Sequence, residues 1–188
     1  LDDGPITLTH LGESVKVLPP DNADPNSKDV YGAIMAGAVA QVEQQNPHRV
    51  RSFCLAVTVE DGGEQGLPSL WSSAIDALAI GEPFDDTDER ITYFRSGNEG
   101  SRLFVVSAGN VREFTADYRR ENDRKQVDDP AQSWNALTVG AYTNKGFTTA
   151  EQNKDVLPLA KPGEISPFSR TSIDFGQHTW PIKPEVVF

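Results

Sequence analysis

The residues of this chain that could do chemistry are few. The most suggestive are Ser107, Ala108, Gly109 and Asn110, which follow directly on the apolar run Leu103-Phe-Val-Val106. A continuous run of β-branched and aromatic residues is the composition of a parallel strand covered on both faces. Ser107, Ala108 and Gly109 leave almost no side-chain bulk at its carboxyl end, which is where open parallel sheets bind ligands. A ligand backbone could approach there, and Asn110 puts a side-chain amide at the tip. Taken alone, the stretch also fits a buried strand that closes in a Gly-Asn turn. Arg51-Ser-Phe-Cys-Leu-Ala-Val-Thr58 repeats the pattern, near-continuously apolar and again ending in small residues.

Other chemistries lack their usual motifs. No Gly-x-Gly-x-x-Gly follows a strand, and there is no phosphate-binding Gly-x-x-x-x-Gly-Lys-Ser/Thr, no His-Glu-x-x-His and no Gly-x-Ser-x-Gly. Asp24, Asn26 and Asp29 imitate a calcium loop, but glycine is missing at its sixth position and a carboxylate at its twelfth, so no metal site is read there. No cofactor is implied. His10, His48 and His178 lie in polar surroundings and read as surface residues rather than general bases. Cys54, the only cysteine, sits within Phe53 to Val57 and reads as a small buried hydrophobe.

Composition narrows the partners. The 188 residues suffice for one domain, and a net charge of −11 argues against nucleic acid or an anionic membrane surface. No apolar run approaches the length that spans a bilayer. Leu1 is not an initiator methionine, and the apolar ending Pro184-Glu-Val-Val-Phe188 is one a domain would normally bury and continue, so the chain reads as a piece of something longer.

Several elements must position these residues. Ser14-Val-Lys-Val-Leu18 predicts a short strand stopped by Pro19-Pro20. A helix over Val30 to Gln45 is predicted, with Asp29 as cap and Asn46-Pro47 as stop; its Gly and Ala content suits close packing against a sheet. Arg51 to Thr58 forms the second strand, then a glycine-rich loop spans Glu60 to Gly66. Ser69 or a neighbour starts a helix with Trp71, Ala74, Ile75, Leu78 and Ala79 on one face, closed by Gly81. Residues 82–100, with six carboxylates against two arginines, read as an acidic surface loop. Val111 to Asp129 reads as a charged excursion over the surface, and Trp134 to Tyr142 as a fourth strand. A polar loop runs from there to Pro162, and Ile165 to Ser172 is a short extended unit. The alternation of strands and helices implies right-handed crossovers and an α/β fold with a parallel sheet.

At this point a resemblance becomes specific. The order and spacing of Ser14-Val-Lys-Val-Leu18, the two helices, Phe53 to Thr58, Val105-Val-Ser-Ala-Gly-Asn110, Ala136-Leu-Thr-Val-Gly-Ala141, Ser166-Pro-Phe-Ser-Arg-Thr-Ser172 and Lys183-Pro-Glu-Val-Val187 resemble the central part of a subtilisin-like serine protease. The resemblance covers nearly the whole chain. It implies a doubly wound parallel α/β sheet with helices on both faces, here incomplete, and a serine endopeptidase acting on polypeptide. By it, Asn110 corresponds to the oxyanion-hole asparagine. Ser107, Ala108 and Gly109 would line one wall of the pocket for the substrate side chain preceding the cut. Ala56, Val57 and Thr58, where the family usually has Ser-Leu-Gly, would form the opposite wall and pair with extended substrate.

The resemblance also implies what residues 1–188 lack. The family's Asp-Thr/Ser-Gly and His-Gly-Thr motifs belong before Ser14, and its Gly-Thr-Ser-x-Ala after Phe188. Asp2-Asp3-Gly4 lies too close to the Ser14 strand to serve as the first of these, and Tyr31-Gly32 has tyrosine where the second would need histidine. The triad is therefore expected from sequence outside these residues, and the chain alone is expected to be inert. In the resembled fold the aspartate-bearing strand lies between the strands matching Ser14–Leu18 and Phe53–Thr58. Without it the chain is expected to dimerise, swap a segment, or close the gap by moving its first strand. The rival reading is a non-catalytic α/β interaction module that keeps the fold without the triad; a nucleotide-binding domain would need a phosphate loop that is absent.

Overall fold

Parallel pairing dominates the architecture. The computed structural model describes residues 10–59, 67–81, 100–113, 115–144, 158–172 and 181–188. Strands β1 (Ser52–Leu55), β2 (Leu103–Ser107), β3 (Leu137–Gly140) and β6 (Val186–Val187) form a four-stranded sheet in the order β1-β2-β3-β6, every pair parallel. Strands β4 (Tyr142–Thr143) and β5 (Glu164–Ile165) make a small antiparallel pair. The α-helices among the described residues are α1 (Tyr31–Gln45), α2 (Leu70–Ile80) and α3 (Tyr118–Arg124). This is the α/β parallel-sheet class that the alternation of elements predicts.

The register explains the core. Phe53 pairs with Phe104, Leu55 with Val106, and Val106 with Thr138, so these side chains share one face. On that face they meet Val39 of α1 and Trp71, Ile75 and Ala79 of α2, and the rings of Phe53 and Phe104 stack at 5.0 Å. The two helices also pack on each other. At Gly32 a Cβ would come within 2.9 Å of the Ala74 Cβ, so the slimness of α1 serves its approach to α2 rather than to the sheet. The opposite face carries Cys54, Leu103, Val105 and Val139, all exposed or half-buried.

Local signals set the ends of α2. Ser69 and Ser72 form a reciprocal capping box: the Ser69 Oγ accepts from the Ser72 N–H at 2.9 Å and the Ser72 Oγ from the Ser69 N–H at 2.8 Å. Gly81 closes the helix in the left-handed region at φ 81°.

Five expectations are corrected. Ser14–Leu18 forms no strand: between His10–Val17 and β1 lies a cavity of about 760 Å³, so the segment has no ladder to join there. Asp29 does not cap α1, because a 3-10 turn over Lys28–Val30 precedes the helix and Val30 occupies the cap position. Cys54 is exposed, since its neighbours Phe53 and Leu55 take the helix side of an edge strand. Val111 to Asp129 is no mere surface excursion, for Val111, Tyr118, Asn122, Val127 and Asp128 are all buried. The fourth strand is also shorter than expected, with Trp134 and Asn135 exposed before β3 begins. The glycine-rich loop at 60–66, most of the acidic loop at 82–99, part of the polar loop at 145–157, and His178 lie outside the described residues.

Candidate active site

The two strand ends singled out in the sequence lie side by side. Because β1 and β2 are parallel with Leu55 opposite Val106, the segments Ala56-Val57-Thr58 and Ser107-Ala108-Gly109-Asn110 leave the sheet at the same end. Ala108 and Gly109 are buried, Ser107 is half-buried and Asn110 is exposed; on the other segment Ala56 and Val57 are exposed and Thr58 half-buried.

Hydrogen bonds fix the backbone leading to Asn110 from all sides. The Ala108 N–H donates to the Val139 carbonyl at 2.9 Å, and the Ala108 carbonyl accepts from the Asp128 N–H at 3.1 Å. The Gly109 N–H donates to the Ser107 Oγ at 3.2 Å and the Asn110 N–H to the Asp128 Oδ2 at 3.2 Å. The Val111 N–H donates to the Phe168 carbonyl at 2.8 Å, extending an antiparallel bridge between Asn110 and Ser169. Among the described residues, nothing hydrogen-bonds the Asn110 side-chain amide. A turn asparagine that merely caps local backbone would be so engaged.

Asp128 joins the two segments. Its Oδ2 also accepts from the Thr58 Oγ1 at 3.5 Å, and its carboxylate pairs with the Arg170 Nε at 3.1 Å. Gly109, at φ +93°, permits the approach: a Cβ there would stand 2.2 Å from the Asp128 Oδ2. Neither Asp128 nor Arg170 figures among the residues singled out from the sequence. Their signals, a carboxylate pair before Pro130 and an arginine inside Phe168-Ser-Arg-Thr171, are too ordinary to mark a site.

An apolar cavity of about 390 Å³ flanks Val57, lined also by Leu18, Tyr31, Ile34, Met35 and Trp71. The Trp71 indole is buried, and its Nε1 has no hydrogen-bond partner among the described residues. Tyr31 meets Trp71 edge to face at 5.0 Å and so joins the start of α1 to α2 at this wall.

The family model of the subtilases, Peptidase S8, matches residues 2–188. The chain belongs to the subtilase family. No curated protein and no solved structure matches it significantly. Subtilases are serine peptidases, and their substrates are polypeptides. The incomplete α/β sheet described above is consistent with this family's fold.

Proposed function

We propose that this subtilase chain carries the oxyanion and substrate-pocket parts of a serine endopeptidase centre. In this reading the Asn110 amide donates to the oxygen on which negative charge develops as the serine attacks the peptide carbonyl. Ser107, Ala108 and Gly109 form one wall of the pocket for the side chain preceding the cut, and Ala56, Val57 and Thr58 form the other. The nucleophilic serine, the histidine base and the aspartate that orients it come from sequence outside residues 1–188, so these residues alone cleave nothing. The observation that carries the reading is the state of Asn110: an exposed side-chain amide with no described partner, on a backbone whose polar groups are nearly all bonded.

A donor aimed at the developing charge acts in the transition state and scarcely in the ground state, so its loss falls on kcat rather than KM. In a form of the protein with a complete triad, Asn110→Ala should lower kcat by about 10²–10³, the magnitude measured for loss of such a donor in this same family. KM and the thermal midpoint should stay nearly constant. A lowered midpoint with unaltered kcat would reject the oxyanion role and make Asn110 a turn residue.

A further inference from the structure

Asp128 and Arg170 are each 3% exposed, and both are charged side chains. Burying such a pair rarely adds net stability, because desolvating both charges offsets their attraction. What the pair holds is therefore more informative than what it contributes to folding. The Asp128 Oδ2 accepts from the Asn110 N–H at 3.2 Å, and the Arg170 Nε donates to the Asn110 carbonyl at 2.9 Å. The two side chains meet each other at 3.1 Å. Both polar groups of the Asn110 peptide backbone are thus bound by the two members of one ion pair, and the ring closes on itself.

We infer that the Asp128–Arg170 pair is a positioning device for Asn110, which sets the place and direction of its side-chain amide without touching the substrate. The inference rests on the oxyanion reading of Asn110 given above. With its N–H and C=O held, Asn110 keeps freedom only about its side-chain torsions, and the Cα–Cβ direction is fixed. A transition-state donor needs this, since hydrogen bonding to the developing charge tolerates little displacement. The remaining contacts anchor the pair itself. The Arg170 Nη1 donates to the Gln126 carbonyl at 3.1 Å, and the Thr58 Oγ1 reaches Asp128 from the opposite pocket segment. Arg170 has a second task. A lone carboxylate beside an oxygen that becomes negative would oppose the reaction, and the guanidinium cancels that field.

The test is a set of variants in a form of the protein with a complete triad: Asp128→Asn and Arg170→Lys, each alone and combined with Asn110→Ala. Asp128→Asn keeps the shape and loses the charge; Arg170→Lys keeps the charge and loses the Nε that meets both the Asp128 carboxylate and the Asn110 carbonyl. Each single variant should lower kcat about tenfold or more with KM little changed, as small misplacements of a catalytic group do. In the Asn110→Ala background neither should cost anything further. An equal loss in both backgrounds, full activity in both singles, or rescue by lysine would overturn the positioning role. If Asn110→Ala itself leaves kcat intact, the oxyanion reading fails, and the clamp is judged separately by hydrogen exchange. Asp128→Asn should speed exchange at the Asn110 backbone amide, and unchanged protection would refute the clamp. Should Asp128→Asn not fold, Asp128→Glu, which keeps the charge and displaces it, carries the same comparison.

Discussion

The two edges of β1 are built differently. On one side β1 is hydrogen-bonded to β2 along its whole length, and beyond Leu55 the partnership continues through polar contacts: the Val59 N–H donates to the Asp129 carbonyl at 2.9 Å, and Thr58 reaches Asp128. On the other side it faces the 760 Å³ cavity, whose far wall, His10 to Val17, carries no regular structure. What ties that wall to β1 is a cluster around the exposed Glu13, which accepts from the half-buried Arg51 at 2.7 Å and from the exposed Arg49 at 2.5 Å. The difference is one of shielding. Charged groups fix geometry where the protein surrounds them and only bias it where water competes. The candidate oxyanion donor sits on the first kind of support.

The firm side should therefore break hard. Arg102, at the entrance to β2, is bound by both oxygens of Glu43 from α1, at 2.6 and 3.0 Å, while its Nη1 donates to the Leu78 carbonyl of α2 at 2.9 Å. Its side chain is 8% exposed and that of Glu43 9%. This one guanidinium joins two helices to the strand that leads to Asn110. Arg102→Met takes this guanidinium from the buried Glu43, and breaking a buried pair costs about 3–5 kcal/mol. Chemical denaturation should show that drop. A change under about 1 kcal/mol, the size expected of an exposed pair, would mean that β2 is held by packing alone.

Next in size is Gly109→Ala. The residue sits at φ +93°, where a side chain is strained, and its new Cβ would collide with the Asp128 carboxylate. The expected loss is about 2 kcal/mol or more, from backbone strain and the displaced carboxylate together. The diagnostic feature is where the damage appears: hydrogen exchange at the Asn110 amide should rise more than at the β1 amides. Uniform acceleration would show that Gly109 matters to the fold at large and not to the clamp in particular.

How legible all this is from sequence follows the same division. The strand leading to Asn110 can be read because its signal is local: a contiguous apolar run that stops at residues without bulk. The capping box at Ser69 and the closing Gly81 are local too. Ser14–Leu18 has an equally good strand composition and forms none, because a strand exists only with a partner and this stretch faces a cavity where one would be. Cys54 sits in an apolar run yet is exposed, since composition cannot tell an edge strand with one covered face from a central one with two. Asp128 and Arg170 are the hardest case. Each lies in a polar stretch of ordinary appearance, and only the fold brings the two charges together under Asn110. The family resemblance points to Asn110 and the two strand ends as candidates, but a contact between two charges distant in sequence leaves no trace in either neighbourhood.

The weak side offers the smallest and most conditional effect. The hydrogen bond from Arg51, helped by Arg49 and opposed by partial desolvation, holds the Glu13 carboxyl below its ordinary value of 4.5. The ionised form is thus favoured in the folded arrangement. A depressed carboxyl contributes its stabilisation fully above its unfolded-state value and loses it as the pH falls through the folded one. The tie between His10–Val17 and β1 should accordingly be intact at pH 6 and fade below about pH 4.5 as Glu13 takes up its proton. Because Glu13 and Arg49 are open to water, salt should weaken the cluster at pH 6 as well. Hydrogen exchange corrected for its intrinsic pH dependence would read this directly: amides of residues 11–17 gain exchange on acidification while those of β2 do not, and Glu13→Gln shows the same pattern at pH 6. If acid or Glu13→Gln loosens β2 equally, the two edges of β1 are one cooperative unit and the contrast between them fails. If neither moves residues 11–17, the ion pairs are incidental to that wall, and its apolar lining residues Val15 and Val17 are the ones to test next.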